Sequence, residues 1–436
     1  MLNDTICAIS TSLKESAISI IRLSGSDAFE IAKKLTDIKE IVENTITYTH
    51  IYENDEVLDE ILISFFKGPK SYTREDMVEI NSHGGVYITR RILNLLLTNG
   101  ARLAEAGEFT KRAYLNGRID LTKAESINDL IKANNSIQSK SAIKGLSGSI
   151  EKLLAPMMDE IKDVISMIEV NIDYPEYDDV KVITNDKVKP YLDKWIKQAS
   201  EMIDKAQRFR VVKDGLNTVI IGKPNVGKSS LLNALIEQDK AIVTDIAGTT
   251  RDLVEGRVNL ENISLNLIDT AGIREAKDKV EKIGIEKSIA AVKNAELIIL
   301  VLDATNIDDE DKKLMDMTKD LNRIIVYNKK DINNIGDIKV SAKNNDIKEL
   351  IDYINNKYED DSKLVDEDIL NNERQISLMK LALKEFKEML NIIDTIQLDV
   401  IELNLEEAYH YLCEILGKEY KEDLIDHMFK NFCLGK

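Results

Sequence analysis

The stretch Gly222-Lys-Pro-Asn-Val-Gly-Lys-Ser-Ser230 decides the fold of the sequence around it. An apolar run at 218–221 precedes the stretch, and a helical pattern at 231–236 follows it. A strand, a glycine-bracketed loop and a helix in this order form a phosphate-binding loop. Gly222 and Gly227 allow successive backbone N–H groups to point inward at an anion. The sequence therefore predicts a nucleotide-binding site here.

Two side chains of this loop are predicted to contact the nucleotide and its metal. Lys228 reaches the β- and γ-phosphates, and the hydroxyl group of Ser229 ligates Mg²⁺. The helix N-terminus adds partial positive charge at the same place. A chance glycine-rich turn is the alternative for the isolated pattern, and the motifs described below argue against it.

Strand and helix signals alternate on both sides of the loop, between about residues 213 and 357. The predicted strands are short and apolar on both faces, as in a parallel sheet covered by helices. They lie at 219–221, 265–268, 297–302, 324–327 and 338–340. We predict a doubly wound α/β domain that binds its nucleotide at the carboxyl ends of the strands.

Three further motifs specify which nucleotide is bound. In Asp269-Thr-Ala-Gly272, the aspartate can hold Mg²⁺ through water and the glycine N–H can bond the γ-phosphate. In Asn328-Lys-Lys-Asp331, the last carboxylate can accept hydrogen bonds from guanine N1–H and the exocyclic amine, a donor pair that adenine lacks. Ser341-Ala-Lys343 supplies the loop under the base. This set in this order predicts a GTP-binding G domain.

The residues expected to act in hydrolysis are less regular. Switch I is predicted at Asp245-Ile-Ala-Gly-Thr-Thr-Arg251, with Thr250 as the second protein ligand of Mg²⁺. Ile273 stands where Ras-like enzymes carry the glutamine that orients the attacking water. Either the domain is a slow switch or another polar residue positions the water. Asn225 offers an oxygen near the phosphates, although it could instead only stabilise the turn.

Composition limits the function classes. The 436 residues carry a formal net charge of −18, which excludes non-specific nucleic-acid binding through bulk charge. Three cysteines cannot form a disulfide framework and favour a reducing compartment. No signal peptide or membrane-spanning apolar run is recognisable, so a cytoplasmic protein is expected.

Residues 1–118 mix strand and helix signals and are predicted to form an α+β domain. Strands are expected at 18–23, 46–52, 57–66 and 77–81, and helices at 27–35 and 86–97. The polar loop at 69–76 and the turn Asn81-Ser-His-Gly-Gly85 are either ordinary connections or parts of a site.

The pattern is helical from about residue 119 to 209 and again after residue 370. We therefore predict a multidomain α/β protein in which the P-loop G domain is inserted into one helical domain. The domain ranges are 1–118 (N-terminal α+β), 119–212 (helical, first part), 213–360 (G domain) and 361–436 (helical, second part). Three independent domains in a row are the alternative.

Over essentially its whole length the chain resembles the tRNA modification GTPase MnmE family, also called TrmE. The resemblance rests on the inserted G domain, on the terminal Cys433-Leu-Gly-Lys436 and on a set of matching motifs. These motifs are Ile21-Arg-Leu-Ser-Gly25, Ser71-Tyr-Thr-Arg-Glu-Asp76, His83-Gly-Gly85, Glu105-Ala-Gly-Glu-Phe-Thr110, Gly248-Thr-Thr-Arg-Asp252 and the stretch from Asp269 to Ile285.

The resemblance implies GTP hydrolysis that uses K⁺ in place of an arginine finger, with two G domains meeting across their switch regions. It implies that Asn225 ligates K⁺ and that the loop 244–249 completes the cage, with Thr244, Ile246 and Thr249 as ligands. It also implies that Glu281 positions the attacking water, which would compensate for Ile273. Lys228, Glu281 and Cys433 are the predicted catalytic residues.

The motifs and the resemblance together predict the residues that bind GTP. These are Asn225, Val226, Gly227, Lys228, Ser229, Ser230, Thr244, Asp245, Ile246, Ala247, Gly248, Thr249, Thr250, Asp269, Thr270, Ala271, Gly272, Asn328, Lys329, Asp331, Ser341, Ala342 and Lys343.

The resemblance further implies a homodimer formed through an N-terminal domain that binds 5-formyl- or methylene-tetrahydrofolate. Arg22, Glu79, Arg118 and Lys436 match the folate-contacting positions. With a FAD-dependent partner (GidA, also called MnmG), in an expected heterotetramer, the family adds an aminomethyl or carboxymethylaminomethyl group at C5 of the wobble uridine, position 34, of certain tRNAs.

Two positions depart from the family pattern. Ser10-Thr-Ser-Leu-Lys-Glu-Ser16 replaces a loop rich in glycine and proline, and Arg118 stands where some relatives have lysine. A ribosome-assembly GTPase of the Era or Der kind is the alternative function, although such proteins usually append a KH-like domain after the G domain. A purely regulatory switch is a third possibility, which would leave the folate-type domain without a role.

Overall fold

The computed structural model describes residues 4–173, 184–238, 254–268, 295–395 and 397–418, together with 429, 432 and 435. The chain divides into two compact units. The first unit comprises Met1–Lys132, Ala142–Ile196 and Ser377–Lys436, and the second comprises Ala133–Ser141 and Lys197–Ile376. Every G-domain motif falls in the second unit. The four domain ranges proposed from the sequence stay a prediction.

A six-stranded sheet forms the N-terminal part of the first unit, in the order β3-β4-β5-β2-β1-β6. The strands are β1 Ile6–Ile9, β2 Ile18–Ser24, β3 Ile46–Glu53, β4 Glu56–Phe66, β5 Met77–His83 and β6 Arg102–Leu103. Neighbours are antiparallel except β1 and β6, which pair in parallel. The sequence predicted the four longer strands and missed β1 and β6, which are too short to show a period.

Two helices pack on one face of this sheet, α1 Ala28–Lys34 and α2 Val86–Thr98. Strand β2 alternates, so Ile21 and Leu23 enter the core beneath these helices, whereas Arg22 lies on the opposite face. Gly100 follows the end of α2 with φ +107°, a backbone conformation that glycine adopts readily after a helix. The alternation therefore places a charged side chain on the face that the helices leave open.

The remaining helices of this part of the chain are long and amphipathic. They are α3 Glu108–Leu115, α4 Leu121–Lys132, α5 Ser136–Leu146, α6 Ser149–Asp173, α7 Asn185–Asp214, and, near the end of the chain, α12 Glu373–Ile392 and α13 Leu398–Leu416. The buried face of α6 runs from Ile150 to Ile168, within the region that the sequence predicts to be helical. Trp195 is fully buried against Phe386, with ring centroids 5.6 Å apart, and donates its indole N–H to Glu160. None of the helices in the described ranges is long and apolar enough to cross a membrane.

The second unit contains a five-stranded sheet in the order β11-β10-β7-β9-β8. Its strands are β7 Leu216–Ile221, β8 Val254–Asn259, β9 Ser264–Ile268, β10 Leu297–Asp303 and β11 Arg323–Asn328. The pairs β11–β10, β10–β7 and β7–β9 are parallel, and β8 runs antiparallel to β9 at the edge. Because β8 reads Val-Glu-Gly-Arg-Val-Asn, which alternates poorly, the sequence did not reveal it.

Both faces of this sheet are covered, which explains the continuous apolar runs. On β10, Leu297, Ile299 and Val301 enter one core, and Ile298 and Leu300 enter the other. The helices of this unit are α8 Lys228–Gln238, α9 Asp309–Met317, α10 Lys348–Lys357 and α11 Glu359–Lys363. Short 3₁₀ turns lie at Ala342–Asn344 and Leu364–Asp366.

The strand predicted at 338–340 is wrong. Lys339 forms only an isolated parallel bridge with Tyr327. The turn before it brings Gly336, at φ +94°, so close to the Tyr327 ring that a Cβ atom would lie 2.0 Å from a ring carbon. Since the chain turns away on both sides, the pairing with β11 extends no further.

A buried ion network ties the start of the first unit to its third helix. The Arg112 side chain is 1% exposed and bonds the Asp4 carboxylate at 2.7 Å, Glu108 at 3.1 Å and Glu75 at 3.2 Å. Arg102 reaches the same Glu108 oxygen at 2.6 Å. Glu75 and Glu108 belong to the sequence motifs at 71–76 and 105–110, so these two motif residues have a structural role.

Replacing Arg112 with methionine should lower the free energy of unfolding of the first unit by about 3–5 kcal/mol, because it leaves buried carboxylates uncompensated. Arg91→Met is the matched control: Arg91 pairs with Glu53 at a partly exposed position, so its loss should cost less than about 1 kcal/mol. Denaturant unfolding of both variants measures the difference. Equal small losses would show that the network contributes nothing beyond a surface pair.

Candidate nucleotide-binding site

The phosphate-binding loop connects β7 to α8 with the geometry that its glycines require. Gly222 has φ +150°, and a Cβ atom there would lie 2.3 Å from the Val301 carbonyl oxygen. Gly227 has φ +96°, and a Cβ atom there would lie 2.2 Å from Asn328 Nδ2. The Val301 oxygen belongs to the backbone and the Asn328 amide is held by hydrogen bonds, so neither atom can move aside. Only glycine therefore fits at either position.

Lys228, at the first position of α8, folds back over the loop. Its Nζ donates to the carbonyl oxygens of Gly222, at 2.9 Å, and Lys223, at 2.6 Å. Burial lowers the pKa of the Lys228 ammonium group. An anion in the loop would offset that desolvation, since opposite charge favours the protonated amine.

The carboxyl ends of four parallel strands meet at one edge of the sheet. Ile221 of β7 pairs with Leu300 of β10, and Asp303 at the end of β10 pairs with Asn328 at the end of β11. Strand β9 ends at Ile268 on the same edge, immediately before the Asp269 motif in the sequence. The strand order therefore brings the starts of the predicted motifs together.

Asn328 joins the phosphate loop to the loop expected under the base. Its side chain donates to the Val226 carbonyl oxygen at 2.8 Å and accepts from the Ala342 N–H at 3.0 Å. The residue is 4% exposed. Both polar atoms of the buried amide are thus hydrogen-bonded, and two loops far apart in sequence are held by one side chain.

Asp331 lies on the exposed side of this junction. One of its carboxylate oxygens accepts the Ser341 hydroxyl at 2.6 Å, and this hydrogen bond lowers the pKa of Asp331. Lys329, with φ +67°, forms an ion pair with Asp303. The Asp331 carboxylate is therefore charged and oriented, as an acceptor for the two guanine donors must be.

The structure brings together the predicted residues of three motifs: Asn225, Val226, Gly227, Lys228, Ser229, Ser230, Asn328, Lys329, Asp331, Ser341, Ala342 and Lys343. Ser229 and Ser230 are exposed at the start of α8. Asn225 is exposed with φ +63°, a conformation that asparagine tolerates well. The turn-stabilising explanation thus accounts for this residue type without a ligand.

The other predicted residues lie outside the described part of the chain. They are Thr244, Asp245, Ile246, Ala247, Gly248, Thr249, Thr250, Asp269, Thr270, Ala271, Gly272, Glu281, Cys433 and Lys436.

A second cluster lies on the face of the first unit's sheet that is opposite α1 and α2. Arg22 on β2 and Glu79 on β5 are directly opposite, with Nε and Oε1 2.7 Å apart. The Arg22 Nη1 atom is buried and has no hydrogen-bond partner in the described ranges. The guanidinium groups of Arg118 and Arg22 lie 4.6 and 5.7 Å from the centre of the Tyr72 ring. An unpaired buried donor beside a second cation suits an anionic or acceptor-rich ligand.

Tyr72 was not predicted as a site residue, although the loop at 69–76 was noted. Its hydroxyl group hydrogen-bonds Thr110 at 2.9 Å, which fixes the ring between the two arginines. The sequence signal was an aromatic residue in a polar loop, and it could have been recognised. The three predicted positions that the structure describes here, Arg22, Glu79 and Arg118, are brought together.

The loop at 10–16 contacts two glycines, Gly84 in the turn at 81–85 and Gly435 near the end of the chain. Ser10 donates its hydroxyl to the Gly435 carbonyl oxygen at 3.0 Å, and a Cβ atom on Gly435 would lie 2.4 Å from the Ile9 carbonyl oxygen. Ser16 donates its N–H to Gly84, where a Cβ atom would lie 2.2 Å from the Ser16 carbonyl oxygen. This loop therefore makes backbone contacts with both glycines despite its unusual composition.

Comparisons with known proteins cover the whole chain. A family model described as the GTP-binding protein TrmE N-terminus matches residues 5–118, and one described as the MnmE helical domain matches residues 121–433. A curated "tRNA modification GTPase MnmE" of Lactococcus lactis subsp. cremoris (strain MG1363) is 46% identical over 450 residues, covering 99% of this chain and 98% of the relative. A protein of the same name from Streptococcus thermophilus (strain CNRZ 1066) is 44% identical over 449 residues, with 99% and 98% coverage.

Among solved structures, the G domain of the T. maritima FeoB iron transporter matches with a TM-score of 0.25 and 22% identity, covering 33% of this chain and 98% of that one. At this TM-score the similarity carries no argument about this chain.

Changing Asp331 to asparagine should weaken GTP binding by about 10- to 100-fold, because hydrogen bonds to a charged acceptor contribute about 1.5–3 kcal/mol. Affinity for xanthosine triphosphate should rise, since xanthine replaces the exocyclic amine by an oxygen that the asparagine amide can meet. Asp346→Asn removes a carboxylate that pairs with Lys330 and should change neither affinity. Equilibrium binding of both nucleotides decides the matter, and unchanged GTP affinity in the Asp331 variant would exclude it as the base-reading residue.

Proposed function

Because the chain belongs to the tRNA modification GTPase MnmE family, we propose that it hydrolyses GTP to drive modification of the wobble uridine of certain tRNAs. The observation that carries this proposal is the junction at Asn328, which holds a phosphate-binding loop and a guanine-type acceptor, Asp331, at one sheet edge. The family match over the whole chain weighs against a ribosome-assembly GTPase of the Era or Der kind.

The residues present fit a nucleotide with its magnesium ion. Ser229 offers an exposed hydroxyl oxygen at the start of α8, and Thr250 and Asp269 add oxygen donors of the kind Mg²⁺ prefers. The ion would neutralise charge on the phosphates. Lys228 Nζ donates to two carbonyl oxygens of the phosphate-binding loop, and it would stabilise the negative charge that develops on the phosphates during transfer.

We propose that Asn225, with the loop at 244–249, holds K⁺, and that Glu281 orients the attacking water. Asn225 is exposed in the phosphate-binding loop, and its side-chain amide offers an oxygen donor there. A bound K⁺ would supply positive charge near the phosphates, as an arginine finger does in other GTPases. The Ile273 side chain has no polar atom that could orient water, so a carboxylate from the same stretch is needed for that role.

For the first unit we propose binding of a 5-formyl- or methylene-tetrahydrofolate and assembly as a homodimer. The fit rests on Arg22, whose buried Nη1 has no hydrogen-bond partner among the described residues, and on Glu79, which can accept hydrogen bonds from a pterin-type ring. Arg118 and Lys436 add positive charge for the carboxylates of such a ligand. The bound folate would supply the one-carbon unit.

The contact between Gly435 and Ser10 places the described part of the tail at this domain. We therefore propose that Cys433 acts in the modification rather than in GTP hydrolysis. A FAD-dependent partner (GidA, also called MnmG), in a heterotetramer with this chain, would supply the redox chemistry of its flavin. The product would carry an aminomethyl or carboxymethylaminomethyl group at C5 of uridine 34. The net charge of −18 fits a protein that leaves much of the tRNA contact to that partner.

GTP turnover should be at least about tenfold faster in KCl than in NaCl of equal ionic strength, a modest share of the 10³- to 10⁵-fold that an arginine finger supplies. Asn225→Gly keeps the positive φ of the turn and removes only the side chain, so it should lose the K⁺ response while still binding GTP.

Glu281→Ala should lower kcat by about 100-fold with little change in the affinity for GTP. Steady-state hydrolysis and nucleotide binding measure both effects, and equal rates in the two salts would refute the K⁺ proposal.

A further inference from the structure

The phosphate-binding loop contains a second lysine, Lys223, which is committed to two carboxylates. Its Nζ lies 2.7 Å from Asp308 Oδ2 and 2.7 Å from Asp311 Oδ2, and its side chain is 11% exposed. Burial is the largest influence on this ammonium group and opposes its charge, yet the two carboxylates outweigh it and raise the pKa of Lys223. Lys223 is therefore charged and paired, and it is not available as a phosphate ligand.

The two carboxylates that pair with Lys223 are also held by hydrogen bonds that do not involve Lys223. Asp308 caps α9 and accepts the N–H groups of Glu310 and Asp311, while its own N–H donates to Asp311 Oδ2 at 3.1 Å. Asp311 is 0% exposed. A capping box at a helix N-terminus holds both carboxylates in position. The acceptor pair is a rigid anchor built into the first turn of α9.

Lys223, which these two carboxylates hold, lies at the start of the phosphate loop. The carbonyl oxygens of Gly222 and Lys223 are the two groups to which Lys228 Nζ donates in the described ranges. Gly222 is pressed against the Val301 carbonyl group on one side. The Lys223 ion pairs fix the loop one residue later. The direction of the Lys228 ammonium group thus depends on two carbonyl groups whose backbone is fixed at both residues.

We propose that Lys223 is a positioning residue for GTP hydrolysis: its ion pairs with Asp308 and Asp311 fix the carbonyl groups that aim Lys228 at the phosphates. The inference rests on the proposed GTPase function and adds a residue that acts through Lys228 without touching the nucleotide. A small displacement of Lys228 would weaken its contact with the charge that forms in the transition state more than its contact with bound nucleotide.

The test uses the full-length chain with Lys223→Met, which keeps the length of the side chain and removes its charge. The kcat for GTP should fall about tenfold or more, since displacing a catalytic group by an ångström costs up to about 100-fold. The affinity for GDP should change less than about threefold, because ground-state binding is shared among many contacts of the loop. Lys223→Arg should recover most of kcat, because a guanidinium group can donate to both carboxylates.

Lys205→Met is the matched control: Lys205, on α7, forms an ion pair with Glu367, and its replacement should leave kcat unchanged. If Lys223→Met does not fold, Asp308→Asn replaces it. Asparagine caps a helix as well as aspartate does, so this variant removes one charge and should lower kcat by a smaller factor.

Three results would overturn the inference. The first is a kcat within twofold of the wild type in the folded Lys223 variant, or in the Asp308 variant if it is the one used. The second is a loss of kcat that Lys223→Arg does not restore. Either would leave the proposed GTPase function intact. The third is a wild-type chain that does not hydrolyse GTP under the same conditions, which would refute both proposals.

Discussion

The nucleotide site depends on the two hydrogen bonds of the Asn328 side chain. One fixes the Val226 carbonyl group in the phosphate loop, and the other fixes the Ala342 N–H in the loop expected under the base. Because the amide is buried, losing either bond would leave an unsatisfied polar atom at a cost of about 1–3 kcal/mol. The same side chain blocks any residue but glycine at position 227. Phosphate and base recognition are therefore one connected structure.

The same arrangement explains which parts of the site could be predicted from the sequence. Lys228 and Asp331 were identifiable because phosphate and guanine chemistry demands those residue types at fixed spacings. The connecting role of Asn328 was not, since it depends on β10 lying between β7 and β11, and strand order is not readable from spacing. The commitment of Lys223 to Asp308 and Asp311 joins residues about 85 positions apart and also required the fold.

In the first unit, too, some features could be predicted from the sequence and others could not. Long strands were predicted because their alternation is strong, whereas β1 and β6 are too short to show it. The motif at 71–76 was recognised as a unit, yet its residues serve two purposes. Glu75 joins the buried network around Arg112, and Tyr72 lies beside Arg22 and Arg118. A motif identified by resemblance thus contributes one side chain to the buried ion network and another to the cluster around Arg22, and only the packing separates them.

GTP hydrolysis by this chain is proposed to serve tRNA modification, and mass spectrometry of tRNA nucleosides measures whether it does. A strain lacking the gene would carry the wild-type chain, Lys228→Ala or Cys433→Ser. Only the wild type should restore the C5-modified wobble uridine, and Cys433→Ser should fail although its GTP hydrolysis is normal. Full modification with the Lys228→Ala chain would refute the proposal. Full modification with Cys433→Ser would reduce that cysteine to packing.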